Sequence, residues 1–341
     1  MGHSRVVQRP YLIHIGYHKT GTTWLQRHYF SRRHAGFAFS RECGRTVTGG
    51  IEGMTPGRFI TDQPLFHYDP KATRAAFDRY FAADIAVGLT PVISYEELSG
   101  NASSGGWRSK EFAWRLAETF PEARILIVVR EQRTMIRACY MQYLRAGGAV
   151  TLRDFMMQSS DPNVPQPDLY YYRYNGLVEL YRKLFSPEQV LCVPFEWFRQ
   201  RPREYLDRLD AFSGAAPDLA LPVEVVENPG RDMLQYPLAR LLNPLMRRNS
   251  ANGRSPYAIP FLNVWGPNAL RIMGRMAPAA WDRALVKRWE RTIESCTAGF
   301  YEESNRCLGE LIGFDLRQFG WRVAADALPS EPRSPTRRIA A

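Results

Sequence analysis

At 341 residues the chain can bury one large core or two ordinary ones, and 40 arginines against five lysines give it a formal net charge of +11. The planar guanidinium of arginine suits phosphate and sulfate oxygens. No nucleic-acid-binding motif accompanies the charge, so we expect no nucleic-acid partner. The longest aliphatic run is about five residues, far short of the ~20 of a transmembrane helix, so no transmembrane segment is predicted.

The first predicted elements are a strand at Tyr11–Ile15, a glycine-bounded turn and an amphipathic helix. The turn has the sequence His14-Ile15-Gly16-Tyr17-His18-Lys19-Thr20-Gly21-Thr22-Thr23-Trp24. In such a turn, backbone N–H groups and the N-terminus of the helix converge on an anion. Gly16 and Gly21 have the spacing of a nucleoside-triphosphate loop, but Thr22 occupies the lysine position of that loop. We therefore predict a phosphate loop in which the lysine approaches the anion from a different side.

The segment Lys19-Thr20-Gly21-Thr22-Thr23-Trp24 resembles the 5′-phosphosulfate loop of sulfotransferases that use 3′-phosphoadenosine-5′-phosphosulfate. The resemblance implies that Lys19, Thr20, Gly21, Thr22, Thr23 and Trp24 bind this cofactor. It also implies that Lys19 is catalytic, because an amine in this position can donate to the oxygen that leaves with the nucleotide. The product of the cofactor would be adenosine 3′,5′-bisphosphate, and the scheme requires no metal.

A candidate general base follows the next main strand. A weaker strand is predicted at Phe37–Ser40, a helix at Ala72–Ile85 and a strand at Pro91–Tyr95. The segment Ile93-Ser94-Tyr95-Glu96-Glu97-Leu98-Ser99-Gly100 then resembles the Ser-x-Glu-x-Leu-Ser segment of bacterial sulfotransferases. That resemblance aligns Glu96 with the base that takes the acceptor proton. Since side chains alternate along a strand, Glu96 and Glu97 would face opposite sides while the strand persists. Glu97 and His18 remain the alternatives.

The third main strand supplies a second cofactor motif. After a helix at Phe112–Phe120, the aliphatic run Arg124–Val129 predicts a buried parallel strand that ends in Arg130. Sulfotransferases have an arginine there and a serine eight residues later, and both hold the 3′-phosphate. Arg130 matches, but the serine position is Ala138. Arg133 and Arg137, on the predicted helix from Thr134 to Arg145, are candidates to replace the missing hydroxyl.

Alternation of strands and helices, with a further strand at Val190–Pro194, predicts an α/β fold. We expect the P-loop three-layer αβα architecture, with a central parallel sheet and a helical insertion on the acceptor side. Ligands bind at the carboxyl ends of the strands in such sheets. The phosphate loop, Glu96 and Arg130 all lie there.

The predicted domain organisation is a single sulfotransferase domain over 1–328 and a disordered tail over 329–341. Within the domain, 41–70 is predicted to be a lid loop and 215–278 a helical cap. A long helix is predicted from Ala280 to Leu311, followed by a short element that begins at Phe314.

The sequence thus favours a sulfotransferase that moves a sulfuryl group to a hydroxyl, with a carbohydrate or glycoconjugate as the expected acceptor. The many aromatic residues could equally cover a lipid or a small phenol. A nucleotide-dependent P-loop kinase and a non-catalytic nucleotide-binding protein remain alternatives. The strand that ends in Arg130 weakens the kinase hypothesis, because such enzymes use an aspartate there to hold magnesium. Five scattered cysteines without a CxxC pair and a polar N-terminus without an apolar signal segment favour a cytoplasmic protein with no metal site.

Overall fold

The computed structural model describes residues 9–39, 55–157, 165–224, 233–246, 259, 266, 268–270, 272–274 and 278–325. Five parallel strands form its central sheet, in the order β2-β3-β1-β4-β5. The strands are β1 (Leu12–His14), β2 (Phe37–Ala38), β3 (Thr90–Ser94), β4 (Arg124–Val129) and β5 (Val190–Pro194). All five predicted strands are confirmed: β4 and β5 have their predicted bounds, and β1 and β3 agree with theirs within one residue.

Aliphatic side chains on both faces of the sheet explain why it is buried on both sides. Along β4, Ile125, Ile127 and Val129 point into one core, whereas Leu126 and Val128 point into the other. This alternation is the two-residue period of a strand. Both sets are fully or nearly fully buried, as expected of a parallel sheet with helices on both faces. The three-layer αβα fold predicted from the sequence is therefore confirmed.

The helices of the described residues account for both outer layers. They are α1 (Thr22–Trp24), α2 (Pro56–Thr61), α3 (Pro70–Tyr80), α4 (Ala82–Ala86), α5 (Ser109–Thr119), α6 (Gln132–Arg145), α7 (Leu152–Met156), α8 (Tyr174–Leu184), α9 (Phe195–Gln200), α10 (Pro202–Ser213), α11 (Gln235–Met246), α12 (Ala279–Thr297) and α13 (Glu302–Ile312). Short 3₁₀ turns include Glu96–Ser99 and Leu316–Phe319. In the part of the chain that the structure describes, no helix is both long and apolar enough to cross a bilayer.

The long helix predicted over Ala280–Leu311 is wrong. The structure has two helices there, α12 and α13, separated at residues 298–301. Ala298 is extended at ψ 126° and Gly299 takes a φ of +70°. This left-handed conformation is accessible to glycine at no steric cost. Apolar periodicity continues on both sides of the break, which is why the sequence suggested one helix.

The helix predicted over Ala72–Ile85 is also two helices, α3 and α4, separated at Phe81. Asp69 caps the first of them by accepting a hydrogen bond from the N–H of Ala72 at 2.9 Å, and Pro70 follows in the first helical position. Phe81, at the break, is only 2% exposed and has a φ of −95° and a ψ of 9°.

The predicted lid and cap lie only in part within the described residues. Of the lid, residues 55–70 contain α2 and a 3₁₀ turn at Leu65–His67, while 41–54 lie outside. Gly57 on α2 lies against the residue that follows β3: a Cβ on it would come within 2.1 Å of Tyr95 Cβ. Of the cap, α11 is described and most of the remainder lies outside, as does the tail 329–341. The lid, cap and tail stay predictions.

Candidate active site

The phosphate loop leaves β1 while its backbone is still paired with β4. Ile15 N donates to Leu126 O at 3.0 Å, and Tyr17 N donates to Val128 O at 3.1 Å. Two residues later the chain turns back, with Lys19 at φ +65° and Gly21 at φ +84°. Lys19 is the one non-glycine residue of the described chain with a positive φ, a conformation that costs free energy and is concentrated at functional sites.

Interactions within the loop hold this turn. The Thr20 hydroxyl donates to the carbonyl of Tyr17, so this side chain is used by the loop itself. A Cβ on Gly21 would lie 2.8 Å from Cε2 of Phe195, the first residue of α9. Gly21 is therefore needed twice, for its φ and for the close approach of this aromatic ring.

The helix after the loop presents a hydroxyl that lacks a partner. Thr22 begins α1, and its Oγ1 is buried without a hydrogen-bond partner among the described residues. Thr23 beside it is half-buried. Trp24 is 3% exposed, with its ring 4.6 Å from that of Phe198, so its indole packs into the core in this structure. A buried hydroxyl at a helix N-terminus fits an anionic ligand that would accept its hydrogen bond.

The Lys19 side chain is exposed at the mouth of the loop. Among the described residues no carboxylate forms an ion pair with it. The amine is therefore available to an anion bound in the loop.

Arg130 joins the second motif directly to the first. Its Nη1 donates to the carbonyl of Lys19 at 2.9 Å and its Nε donates to Thr134 Oγ1 at 3.1 Å. Its guanidinium carbon lies 5.5 Å from the centre of the Phe195 ring. Burial lowers the pKa of Arg130, and the Glu196 carboxylate acts in the opposite direction. The guanidinium remains charged in proteins, so the loop has a fixed cation on this side.

Neither arginine proposed to replace the missing serine is free to do so. Arg133 donates to Glu131 Oε1 at 2.6 Å and to the carbonyl of Gly320 at 2.9 Å. Arg137 forms an ion pair with Glu290. The hydroxyl next to Arg130 is instead that of Thr134, one helical turn before Ala138.

On the other side of the loop, Glu96 meets His18. The Nδ1 atom of His18 lies 3.1 Å from Oε2 of Glu96, and their side chains are 12% and 33% exposed. Burial lowers the pKa of His18, while the Glu96 carboxylate acts to raise it. The strand ends at Ser94, before these acids, and Glu96 begins a 3₁₀ turn. The alternation argument from the sequence therefore does not apply at Glu96 and Glu97.

Glu97 has other partners. Its Oε2 accepts a hydrogen bond from the Tyr95 hydroxyl at 3.2 Å, and its Oε1 accepts one from Asn101 Nδ2 at 3.3 Å. Of the three candidate bases, the structure thus brings Glu96 and His18 together and holds Glu97 elsewhere.

Sequence reasoning missed several residues around the loop. Phe195 and Thr134 have no motif of their own, and the proximity of Phe195 to Gly21 arises from the sheet order. His14, Ser94 and Gln26 form a polar cluster beneath the loop: His14 Nδ1 lies 2.8 Å from Ser94 Oγ, to which Gln26 Nε2 donates at 3.2 Å. Burial lowers the pKa of His14 to about 3, so its ring is neutral. A histidine at the end of an aliphatic strand was the available signal.

The fold and this site define a P-loop α/β protein with a glycine-bounded loop at the carboxyl edge of its sheet. No group of three or more potential ligands for a metal occurs in the described residues. The profile of the sulfotransferase family matches residues 10–216, which include the whole sheet and both motifs. The chain belongs to the sulfotransferase family and is a transferase.

Solved structures give weaker likenesses. A sulfotransferase from Alicyclobacillus acidocaldarius is 20% identical with a TM-score of 0.45, over 65% of this chain and 88% of that one. The sulfotransferase domain of the Synechococcus PCC 7002 olefin synthase is 16% identical with a TM-score of 0.36, over 84% and 95%. The sulfotransferase domain of the curacin biosynthetic pathway is 13% identical with a TM-score of 0.37, over 85% and 98%. No curated protein matches the chain.

Proposed function

We propose that the protein transfers a sulfuryl group from 3′-phosphoadenosine-5′-phosphosulfate to a hydroxyl, with a carbohydrate or glycoconjugate as the acceptor. One observation carries the proposal: the phosphate loop is hydrogen-bonded to Arg130 on one side and to Glu96 on the other. A cation for the nucleotide and a carboxylate for the acceptor thus contact the loop that carries Lys19. In the proposed reaction Arg130 would bind the nucleotide, Lys19 would stabilise the leaving oxygen and Glu96 would take the acceptor proton.

The residues present fit the donor. Thr22 Oγ1 is a buried donor without a partner among the described residues, and Thr22, Thr23 and the N–H groups of the loop would hold the 5′-phosphate. Arg130 and the Thr134 hydroxyl would hold the 3′-phosphate. Bound there, the donor would supply the sulfuryl group and a bisphosphate leaving group.

Lys19 would stabilise the leaving oxygen. Negative charge develops on that oxygen as its bond to sulfur breaks, and a positioned ammonium donor lowers the barrier most where charge develops. The carbonyl of Lys19 is held by Arg130. Its backbone is therefore fixed while the flexible side chain remains free to follow the leaving oxygen.

Glu96 would act as the general base. The acceptor oxygen forms its bond to sulfur as its proton passes to the carboxylate, which leaves a sulfate ester and a protonated Glu96. Oε2 of Glu96 is occupied by His18, so Oε1 is the atom that would take the proton.

A carbohydrate acceptor is supported by the glutamate segment, which resembles that of bacterial relatives, and by one exposed aromatic residue on an adjoining segment. Trp107 is 58% exposed. It lies two residues before Ser109, whose hydroxyl donates to the carbonyl of Ser99 at 2.7 Å, at the end of the 3₁₀ turn that Glu96 begins. An exposed amphipathic ring of this kind suits the apolar face of a sugar.

Two measurements test the proposal. Adenosine 3′,5′-bisphosphate at a hundred times its Kd, without magnesium, should stabilise the protein by ~2.7 kcal/mol. Radiolabelled sulfate donor should then label at least one member of a panel of mono- and oligosaccharides. Stabilisation by Mg-ATP alone would favour the kinase alternative. Stabilisation by the bisphosphate with labelling only of phenols or lipids would refute the carbohydrate acceptor and leave the donor standing.

A further inference from the structure

The side chain of His18 forms a hydrogen bond with Glu96, the proposed base. The position of His18 in the loop does not by itself require this bond. Its neighbours Lys19 and Thr20 are held by backbone contacts, the Lys19 carbonyl by Arg130 and the Thr20 hydroxyl by Tyr17. The His18 ring instead reaches out of the loop, across to the 3₁₀ turn that follows β3, and meets Glu96.

The partner fixes the tautomer of the ring. An ionised carboxylate can only accept hydrogen bonds, so Nδ1 of His18 carries the proton and donates it to Oε2 of Glu96. Nε2 is then the unprotonated nitrogen. It is buried without a hydrogen-bond partner among the described residues.

Burial, more than the charged groups around it, keeps the ring neutral. Burial lowers the pKa of His18; Glu96 and Glu97 act to raise it, and Lys19 acts to lower it. With the net shift downward, the imidazole is uncharged near pH 7. A neutral donor holds the carboxylate without cancelling the charge that a base needs.

We infer that His18 is the positioning residue for Glu96: its Nδ1–H fixes one carboxylate oxygen and directs the other toward the acceptor hydroxyl. This rests on the proposed function of Glu96 as base. The carboxylate is one-third exposed on a short turn, so few other contacts restrict its rotamers. Because His18 precedes Lys19, the same loop that would hold the donor also sets the base.

Two substitutions of His18 separate a role in positioning Glu96 from a role as the base or as a structural part of the loop. His18→Leu removes the donor at similar volume. His18→Asn places an amide N–H close to the former Nδ1. We expect His18→Leu to lower kcat about 10–100-fold, the scale of a small misplacement of a catalytic group. His18→Asn should recover most of that loss. The assay uses labelled donor and the saccharide of the panel with the highest turnover, and both variants should bind adenosine 3′,5′-bisphosphate within about twofold of the wild type.

His34→Leu is the matched control, since His34 also pairs with a carboxylate, Asp218 Oδ2 at 3.3 Å, but is 72% exposed on the surface. Its kcat should not change. Equal loss in His18→Asn and His18→Leu would make His18 itself the base and overturn the inference. So would a loss of kcat that parallels weaker bisphosphate binding, which is the result of a collapsed loop, or no loss at all.

A readout independent of turnover uses the ring nitrogens. Nitrogen-15 NMR of the histidine-labelled protein, with His18 assigned by its absence in His18→Asn, should show the Nδ1-protonated neutral form at pH 7. The Nε2-protonated form would overturn the inference even in an active enzyme. If the wild-type protein labels no saccharide but the Nδ1-protonated form is found, the proposed acceptor fails while the contact between His18 and Glu96 stands.

Discussion

The two sides of the phosphate loop are built differently. On the β4 side, Arg130 donates to Lys19 O and to Thr134 Oγ1, and the Tyr174 hydroxyl donates to the carbonyl of Arg130 at 2.8 Å. On the β3 side, the Glu96 carboxylate accepts one hydrogen bond, from His18, and the Glu96 carbonyl accepts one from the Ser99 hydroxyl at 2.9 Å.

Further bonds anchor the residues just after Arg130. The N–H of Glu131 donates to Glu196 Oε1 at 3.0 Å, and Trp321 Nε1 donates to Glu196 Oε2 at 3.2 Å. The C-terminal segment thus locks the end of β4 in place. The Arg130 side, which we propose binds the nucleotide, thus rests on a connected network of hydrogen bonds, whereas the Glu96 side, which we propose faces the acceptor, rests on a turn and its side chains, the usual place for variation in specificity.

The largest expected effect is a loss of kcat when Glu96, on the β3 side of the loop, is replaced. Glu96→Gln keeps the shape of the side chain but removes the proton acceptor, so kcat should fall about 10²–10⁴-fold while the Kd of adenosine 3′,5′-bisphosphate holds. Steady-state kinetics and calorimetry measure the two quantities. Glu97→Gln is the matched control, because Glu97 is bonded to Tyr95 and Asn101. The assignment of the base is wrong if Glu97→Gln shows the loss and Glu96→Gln does not.

The second-largest expected effect concerns Lys19, which lies in the loop that Arg130 contacts on one side and Glu96 on the other. Lys19→Ala removes the proposed donor to the leaving oxygen, and kcat should fall by at least about 10²-fold with the fold intact. Turnover and circular dichroism are the measurements. Lys71→Ala, at an exposed lysine of α3, should change neither. Near-normal turnover in a folded Lys19→Ala protein would end the phosphosulfate assignment of the loop.

The sequence predicts the strands of the sheet better than it predicts where the helices break. Strands such as Arg124–Val129 are continuous aliphatic runs, so their bounds and the motifs at their ends follow from local pattern. The break at Gly299 does not, because apolar periodicity continues on both sides of it. One glycine in a helical pattern is weaker evidence than that periodicity.

The contacts of the site depend on the sheet order, which local pattern does not contain. Phe195 reaches Gly21 and Arg130 because β5 lies beside β4. His18 reaches Glu96 because β3 lies beside β1. The residues of the two motifs could be predicted from the sequence, but the partner that each of them has could not.

A third prediction concerns the binding of nucleotide by Arg130, on the β4 side of the loop. Arg130→Ala should weaken the binding of adenosine 3′,5′-bisphosphate by roughly 100-fold, since hydrogen bonds to charged groups contribute ~1.5–3 kcal/mol each. The binding of adenosine 5′-phosphate should weaken much less. It should lose affinity only because the loop loosens when the bond from Arg130 to Lys19 O is lost. Calorimetric titration of both nucleotides measures this. Arg133→Ala, which breaks contacts to Glu131 and Gly320, is the control for damage to α6.

Equal weakening of both nucleotides in Arg130→Ala would mean that the guanidinium supports the loop and does not bind the 3′-phosphate. The second cofactor motif would then have only a structural role, and the two sides of the loop would differ in rigidity alone.

The smallest effect concerns the serine position. Thr134 Oγ1 donates to the carbonyl of Glu131 at 2.9 Å and accepts from Arg130 Nε, and it could turn to a 3′-phosphate held by Arg130. Thr134→Val should therefore weaken the bisphosphate about tenfold, near the lower end of the range for a hydrogen bond to a charged group. Ala138→Ser in the wild type should change the Kd of the bisphosphate by less than about threefold, because the hydroxyl of Thr134 is already present.

The two changes together decide between the hydroxyls. Residues 134 and 138 lie one helical turn apart, so both side chains can address the same phosphate. If Thr134 replaces the missing serine, Ala138→Ser should restore bisphosphate affinity in the Thr134→Val background and leave adenosine 5′-phosphate unchanged. Tighter binding from Ala138→Ser in the wild type, with no loss in Thr134→Val, would show that the site lacks its hydroxyl. Arg130 would then hold the 3′-phosphate alone, and the better-anchored side of the loop would be the one that binds its ligand with fewer contacts.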